Sequence, residues 1–140
     1  MKRVLFVCIR NSARSQMAEA FANVDGKGLV FAESAGLEPG ELNPLAVEVM
    51  KEVGIDISGN KTKSVFDFYK QGKLYDYVIT LCDETQAERC PIFPGFAIKL
   101  HWPFEDPAAV EGDPQEKLAK IRQIRNQIRE KVREWLRTIN

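Results

Sequence analysis

One short segment constrains this chain more than any other: Cys8-Ile-Arg-Asn-Ser-Ala-Arg14-Ser15. It follows the apolar run Val4-Leu-Phe-Val7 and opens a stretch with helical periodicity. A strand that passes through a tight loop into a helix turns the backbone N–H groups of that loop inward. The helix N-terminus adds its positive dipole end. Arg14 supplies a planar fork matched to two oxygens of a tetrahedral anion. Cys8 would then lie beneath the anion as a thiolate, because the field that holds an anion also favours ionised sulfur. The candidate oxyanion cradle is Ile9, Arg10, Asn11, Ser12, Ala13, Arg14 and Ser15, with Cys8 as nucleophile. Ser15 has two readings: a hydroxyl donor to the Cys8 sulfur, or an ordinary first-turn helix serine.

The rest of the chain supplies the frame. Strands are expected at 2–8, 29–34, 77–81 and 96–100. Helices are expected at 13–24 (Met17, Phe21 and Val24 inward), 44–52 (Leu45, Val49 and Val53 inward), 64–69 and from Asp113 to the end. Asn43-Pro44 and Asp113-Pro114 each read as an N-cap followed by proline at the first helical position. The last helix carries Leu118, Ile121, Ile124 or Arg125, Ile128, Val132, Trp135 and Ile139 as an apolar stripe, with a charged, solvated opposite face. Residues 82–95 read as irregular. This order predicts a single α/β domain over 1–140: a three-layer sandwich with a four-stranded parallel sheet. Such sheets bind ligands at the carboxyl ends of their strands. Cys8 ends the first strand and Cys82 follows the third. As sheet neighbours, those strands would run about 4.8 Å apart and both sulfurs would face one pocket.

Composition narrows the function. Among 140 residues, 20 Lys and Arg balance 20 Asp and Glu, so nothing favours a nucleic acid or an anionic membrane. No apolar run approaches the roughly 20 residues of a membrane span, and the apolar run after Met1 is too short for a signal sequence. The expectation is a cytoplasmic monomer without a cofactor. Three cysteines, an odd number, argue against a disulfide framework. With one histidine, His101, and no paired spacing, a metal site is not expected.

Cys82 and Cys90 flank seven mostly polar residues. On a continuous helix their Cα atoms would stand about 12 Å apart, against the roughly 4.4–6.8 Å of a disulfide. They can pair only by remodelling the segment, which suits a redox switch better than a staple. Pro91 and Pro94-Gly95 favour such remodelling. Asp106, before Pro107 at the same end of the sheet, is a candidate acid for an oxygen leaving the anion; a plain turn-forming role is the alternative, and Glu105 competes for the acid's role. His101 reads as structural. The Asp83-to-Arg89 charges read as solvated surface.

Cys8-Ile-Arg-Asn-Ser-Ala-Arg-Ser-Gln-Met-Ala-Glu19, Glu33-Ser-Ala-Gly36, Gly54-Ile-Asp-Ile-Ser58, Val78-Ile-Thr-Leu-Cys82, Cys90-Pro and His101-Trp-Pro-Phe-Glu-Asp-Pro-Ala108 together resemble thioredoxin-coupled arsenate reductases of the low-molecular-weight protein tyrosine phosphatase superfamily. The resemblance spans nearly the whole chain. It implies that Cys8 attacks arsenate held by the loop and Arg14, and that Asp106 protonates the departing oxygen. It further implies that Cys82 attacks Cys8 to release arsenite, that Cys90 attacks Cys82, and that thioredoxin reduces the Cys82–Cys90 disulfide. A glutaredoxin or another thiol is the alternative reductant, and phosphate or sulfate is expected to compete for the loop. Some positions depart from the family's pattern: Arg10 replaces a frequent glycine, Ala13 a frequent cysteine, and the second cysteine pair is one residue wider. Some members bind potassium near the positions of Asn11, Glu19 and Ser34, helped by a downstream Asp. Lys63 stands at that place here, so little potassium dependence is expected. Two competing readings are a phosphatase acting through a Cys8 phosphocysteine and a non-enzymatic thiol sensor. Ala108, where phosphatases of this fold usually carry an aromatic, weakens the first; Arg14, which a sensor does not need, weakens the second.

Overall fold

A computed structural model describes residues 1–139. Four strands, β1 (Lys2–Cys8), β2 (Val30–Gly36), β3 (Tyr77–Thr80) and β4 (Ile98–His101), form one parallel sheet in the order β2-β1-β3-β4. β1 is central, and its residues Val4 to Val7 are fully buried, as the uninterrupted apolar run requires. Five helices accompany the sheet: α1 (Arg14–Asp25), α2 (Pro44–Lys51), α3 (Val65–Lys70), α4 (Glu84–Ala87) and α5 (Pro114–Ile139). Val4 and Phe6 of β1 pack with α1, α2 and α5 on one face of the sheet. Leu5 and Val7 pack with Val65, Phe68, Tyr75 and Phe93 on the other. The sandwich is therefore three layers deep.

The capping signals form as expected: Asn43 Oδ1 accepts from Leu45 N at 2.9 Å and Asp113 Oδ1 from Glu116 N at 2.8 Å. Ser64 caps α3, its Oγ accepting from Phe66 N at 3.2 Å. Several expectations need correction. Residues 82–95 contain the one-turn helix α4, capped by Asp83 Oδ1 on Gln86 N at 3.0 Å. In α1, Val24 is 52% exposed. The helix is clamped between the sheet and α5, and this selects the wider face of Met17, Ala18, Phe21 and Ala22. In α2 the buried residues are Ala46, Val49 and Met50, with Leu45 and Val53 at the margin.

The charged side of α5 is partly engaged. Arg129 and Arg133 converge on Asp25 at 2.9 and 3.1 Å. Arg122 and Arg125 converge on Glu52 at 2.7 and 2.8 Å. Ile124 and Arg125 are both buried, and the Arg125 guanidinium donates to the Val49 carbonyl at 2.8 Å. No helix among the described residues is long and apolar enough to cross a membrane.

Candidate active site

The loop between β1 and α1 is shaped from outside. The carbonyls of Cys8, Ile9, Arg10 and Ser12 accept from the N–H groups of Leu37 (3.1 Å), Glu38 (2.7 Å), Gly40 (3.0 Å) and Asn43 (2.9 Å). With four carbonyls pulled outward onto the 37–43 segment, the amides of the loop are left to face the sulfur. Asn11 N already points at Cys8 Sγ at 3.2 Å. This approach of two backbones needs Gly36, because a Cβ there would lie 2.8 Å from both Asn11 N and Ile9 O. No side chain caps α1, so its first-turn N–H groups remain available to an anion.

A hydrogen-bond chain ends on the sulfur, and its direction is set by backbone groups. Lys63 N donates to Asn11 Oδ1 at 3.0 Å, which fixes that atom as the carboxamide oxygen. Asn11 Nδ2 must then donate to Ser15 Oγ at 2.8 Å. Ser15 is left with its proton for Cys8 Sγ at 2.9 Å. Of the two readings of Ser15, the structure selects the thiol partner. Asn11 holds φ at +55°, a conformation that asparagine tolerates better than most residues. Gln16, fully buried, donates through Nε2 to Asn11 O, Asn11 Oδ1 and Lys61 O, each at 3.1 Å, and accepts from Asn60 Nδ2. Gln16 was overlooked from sequence; a polar residue between inward positions of α1 was the signal.

Arg14 is 5% exposed. Its Nη1 donates to Phe104 O at 3.1 Å and lies 3.5 Å from Leu81 O, while Nη2 stands 3.7 Å from Asp106 Oδ2. Two loops after neighbouring strands thus hold the guanidinium over the cradle. Asp106 accepts from Ala108 N through Oδ1 at 2.9 Å, capping a 3₁₀ turn (Pro107–Ala109). Its other oxygen faces Arg14. Asp106 thus forms the turn and also stands beside Arg14. Glu105 sits apart, 3.8 Å from Lys120. Arg10 lies exposed on the rim beside Gly40.

The expected neighbourhood of Cys8 and Cys82 forms. β1 pairs with β3 in register Val7 to Thr80, and Leu81 N donates to Val7 O at 2.8 Å. Cys8 is 2% and Cys82 0% exposed. All three cysteines are free thiols. Burial pushes the Cys82 thiol above its ordinary pKa, and Arg14 opposes that shift. Burial pushes Cys90 up to about 11, with Lys99 opposing.

The segment that carries Cys90 is lightly held. α4 buries no residue. Arg89 reaches back to Glu38 at 2.8 Å and to Gln86 at 2.6 Å. The Asp83-to-Arg89 charges are all exposed, as expected of solvated surface, and Arg89 adds one surface pair to Glu38, whose own N–H hydrogen-bonds the cradle. Phe93 is the anchor beyond Cys90, buried edge-on against Tyr75 and Tyr69 at centroid distances of 5.4 and 5.9 Å. His101 is exposed, its Nδ1 2.8 Å from the Thr80 hydroxyl, in keeping with a structural role.

Lys63 Nζ lies 3.4 Å from Glu19 Oε1 and 3.5 Å from Ser34 Oγ, and Ser34 Oγ donates to Glu19 at 3.1 Å. Burial raises the Glu19 pKa, and the ammonium is the main opposing influence. A fixed side-chain cation occupies the position that the resemblance assigns to potassium.

Comparison with known proteins agrees with this geometry. The family model described as low molecular weight phosphotyrosine protein phosphatase matches residues 3–140. The arsenate reductase of Bacillus subtilis is 41% identical over 139 residues, 98% of this chain and 96% of that protein. The glutaredoxin arsenate reductase of Synechocystis is 39% identical over 140 residues and the full length of both. A solved arsenate reductase in an oxidized state superposes with a TM-score of 0.82 at 38% identity over both full chains. A thioredoxin-dependent arsenate reductase of Corynebacterium glutamicum gives a TM-score of 0.76 at 31% identity, over 99% of this chain and 62% of that one. The chain belongs to the low molecular weight phosphotyrosine protein phosphatase family, in the group of its members named arsenate reductase.

Proposed function

We propose that this chain reduces arsenate to arsenite through three successive thiol steps. In the first, the Cys8 thiolate attacks arsenic in the cradle of residues 9–15, with Arg14 binding two oxygens. Asp106 gives its proton to the departing oxygen, which leaves as water, and a Cys8–arsenic bond remains. In the second, Cys82 attacks Cys8 Sγ. A Cys8–Cys82 bond forms, the electron pair of the sulfur–arsenic bond stays on arsenic, and arsenite departs. In the third, Cys90 attacks Cys82, the disulfide moves to Cys82–Cys90, and Cys8 leaves as thiolate. An external dithiol then reduces Cys82–Cys90, and we assign this role to thioredoxin, with the protein acting as a monomer.

The observation that carries the reading is Cys82, buried two residues past β3, near Cys8 at the end of the neighbouring β1. A phosphatase using the same cradle has no need of a second thiol there. The test is arsenate-dependent NADPH oxidation with thioredoxin and thioredoxin reductase. Wild type is expected to turn over, and Cys82→Ser and Cys90→Ser to stop. Normal turnover in either variant, or none in wild type, would sink the reading. Replacing thioredoxin by glutaredoxin and glutathione separates the two reductants. A phosphatase would hydrolyse p-nitrophenyl phosphate efficiently and keep doing so in both variants.

A further inference from the structure

Beneath the segment that carries Cys90 lies a cavity of 330 Å³. Its floor is the outer edge of the sheet, where Val78 stands opposite Lys99 and Thr80 opposite His101 in the β3–β4 register. Its roof includes Glu88 and Cys90. At rest Cys90 is held as a thiol: its Sγ donates to the Pro91 carbonyl at 3.6 Å, and its surroundings are largely apolar. Both conditions favour the protonated form, yet the third thiol step needs the anion. The charged and titratable groups facing Cys90 are Glu88 from the roof, Lys99 and His101 from β4, and Cys82 beyond the end of β3. His101 is engaged by Thr80 through Nδ1. Glu88 carries the wrong sign to help. Lys99 makes no ion pair among the described residues, so no carboxylate neutralises its charge.

We propose that Lys99 is a positioning residue of the third thiol step, its ammonium favouring the Cys90 thiolate across this cavity before the segment opens and carries that sulfur to Cys82. The step balances within the chain: the Cys82–Cys90 bond forms, the Cys8–Cys82 bond breaks, Cys8 takes the electron pair, and the Cys90 proton passes to water. The proposal rests on the reductase reading for its purpose, though not for its physics. Burial is the main influence raising Cys90, which reaches about 11 even with Lys99, the first opposing influence, beside it. The Lys99 side chain is exposed, so its effect is moderate and sensitive to salt.

The experiment uses the full-length Cys8→Ser/Cys82→Ser variant, in which Cys90 is the sole thiol, and measures its alkylation by uncharged iodoacetamide from pH 7 to 11. Adding Lys99→Met to this parent is expected to slow alkylation at pH 8 by about three-fold and to move the profile to higher pH. Lys99→Arg should restore the profile, and salt at about 1 M should shrink the difference between the parent and the Lys99→Met variant. A Lys99→Met profile that superimposes on the parent overturns the proposal, as does an arginine variant that behaves like methionine. Loss of turnover in the wild type would instead count against the reductase reading, since alkylation of Cys90 does not depend on it.

Discussion

Gly36→Ala isolates the close approach that shapes the cradle. Gly36 ends β2, and its φ lies outside the left-handed region, so alanine meets no backbone penalty there. The cost is contact. The new Cβ would stand 2.8 Å from Asn11 N and from Ile9 O, and 2.9 Å from the Arg10 carbonyl carbon. These are backbone atoms on both sides of the cradle, with no flexible side chain to yield. Relief to an ordinary 3.4 Å contact requires the loop to move by about 0.6 Å. A misplacement of about 1 Å at a reacting centre costs about 100-fold. We therefore expect kcat/KM for arsenate to fall by about ten-fold or more, and stability by about 1–3 kcal/mol from overpacking. Gly40→Ala is the matched control: its Cβ meets only the Arg10 side chain, at 3.4 Å or beyond, and should leave kcat/KM nearly unchanged. Thermal melts of both variants confirm folding before kinetics are compared. Wild-type kcat/KM in Gly36→Ala, or equal damage from Gly40→Ala, would refute the argument that the cradle is held by this approach.

The hydrogen-bond chain and the lysine beside it give two more. Ser15→Ala removes a donor from the Cys8 sulfur, and a hydrogen bond to a charged group contributes about 1.5–3 kcal/mol. The Cys8 step should slow by about ten- to a hundred-fold, read as the single-turnover rate of arsenite release; an unchanged rate would mean that the serine proton points elsewhere. Exchanging sodium for potassium should leave wild-type kcat/KM for arsenate unaltered, because Lys63 supplies the positive charge beside Glu19 and Ser34. Lys63→Asp should make the enzyme depend on potassium, and a several-fold potassium response in the wild type would overturn this account.

Much of the site was readable because it depends on short-range order. The Val4–Val7 run, Cys8 and Arg14 place a nucleophile and a cation at one strand-to-helix turn, and the chain direction of a parallel sheet brings Cys82 to the same end. Other features depend on what packs from far along the chain. The outward pull on the cradle's carbonyls comes from the 37–43 segment, whose own residues carry no motif for it. The direction of the Asn11–Ser15 chain comes from Lys63 N, and the orientation of Gln16 from Lys61 O. Val24 looked inward by periodicity, but the clamp of α1 between α5 and the sheet decided its buried face. The turn α4 was missed because its four residues carry no apolar period; an Asp83 cap alone forms it. Arg89 is solvent-facing as read, but its partner Glu38, 51 positions away, could not be seen from sequence.

The thiols also differ in how firmly the chain around them is held. Cys8 ends the fully buried central strand, and Cys82 lies just past a strand that pairs on both sides. Cys90 follows a helical turn that buries nothing, between the end of β3 and the Phe93 anchor. Local opening costs least where few apolar contacts form. Amide exchange should therefore be fast from Asp83 to Ile92 and slow in β1 and β3. Opening of this segment alone can carry Cys90 toward Cys82 while the cradle around Cys8 keeps its shape. Reducing equivalents would thus enter at the least protected part of the molecule and be used at the most protected.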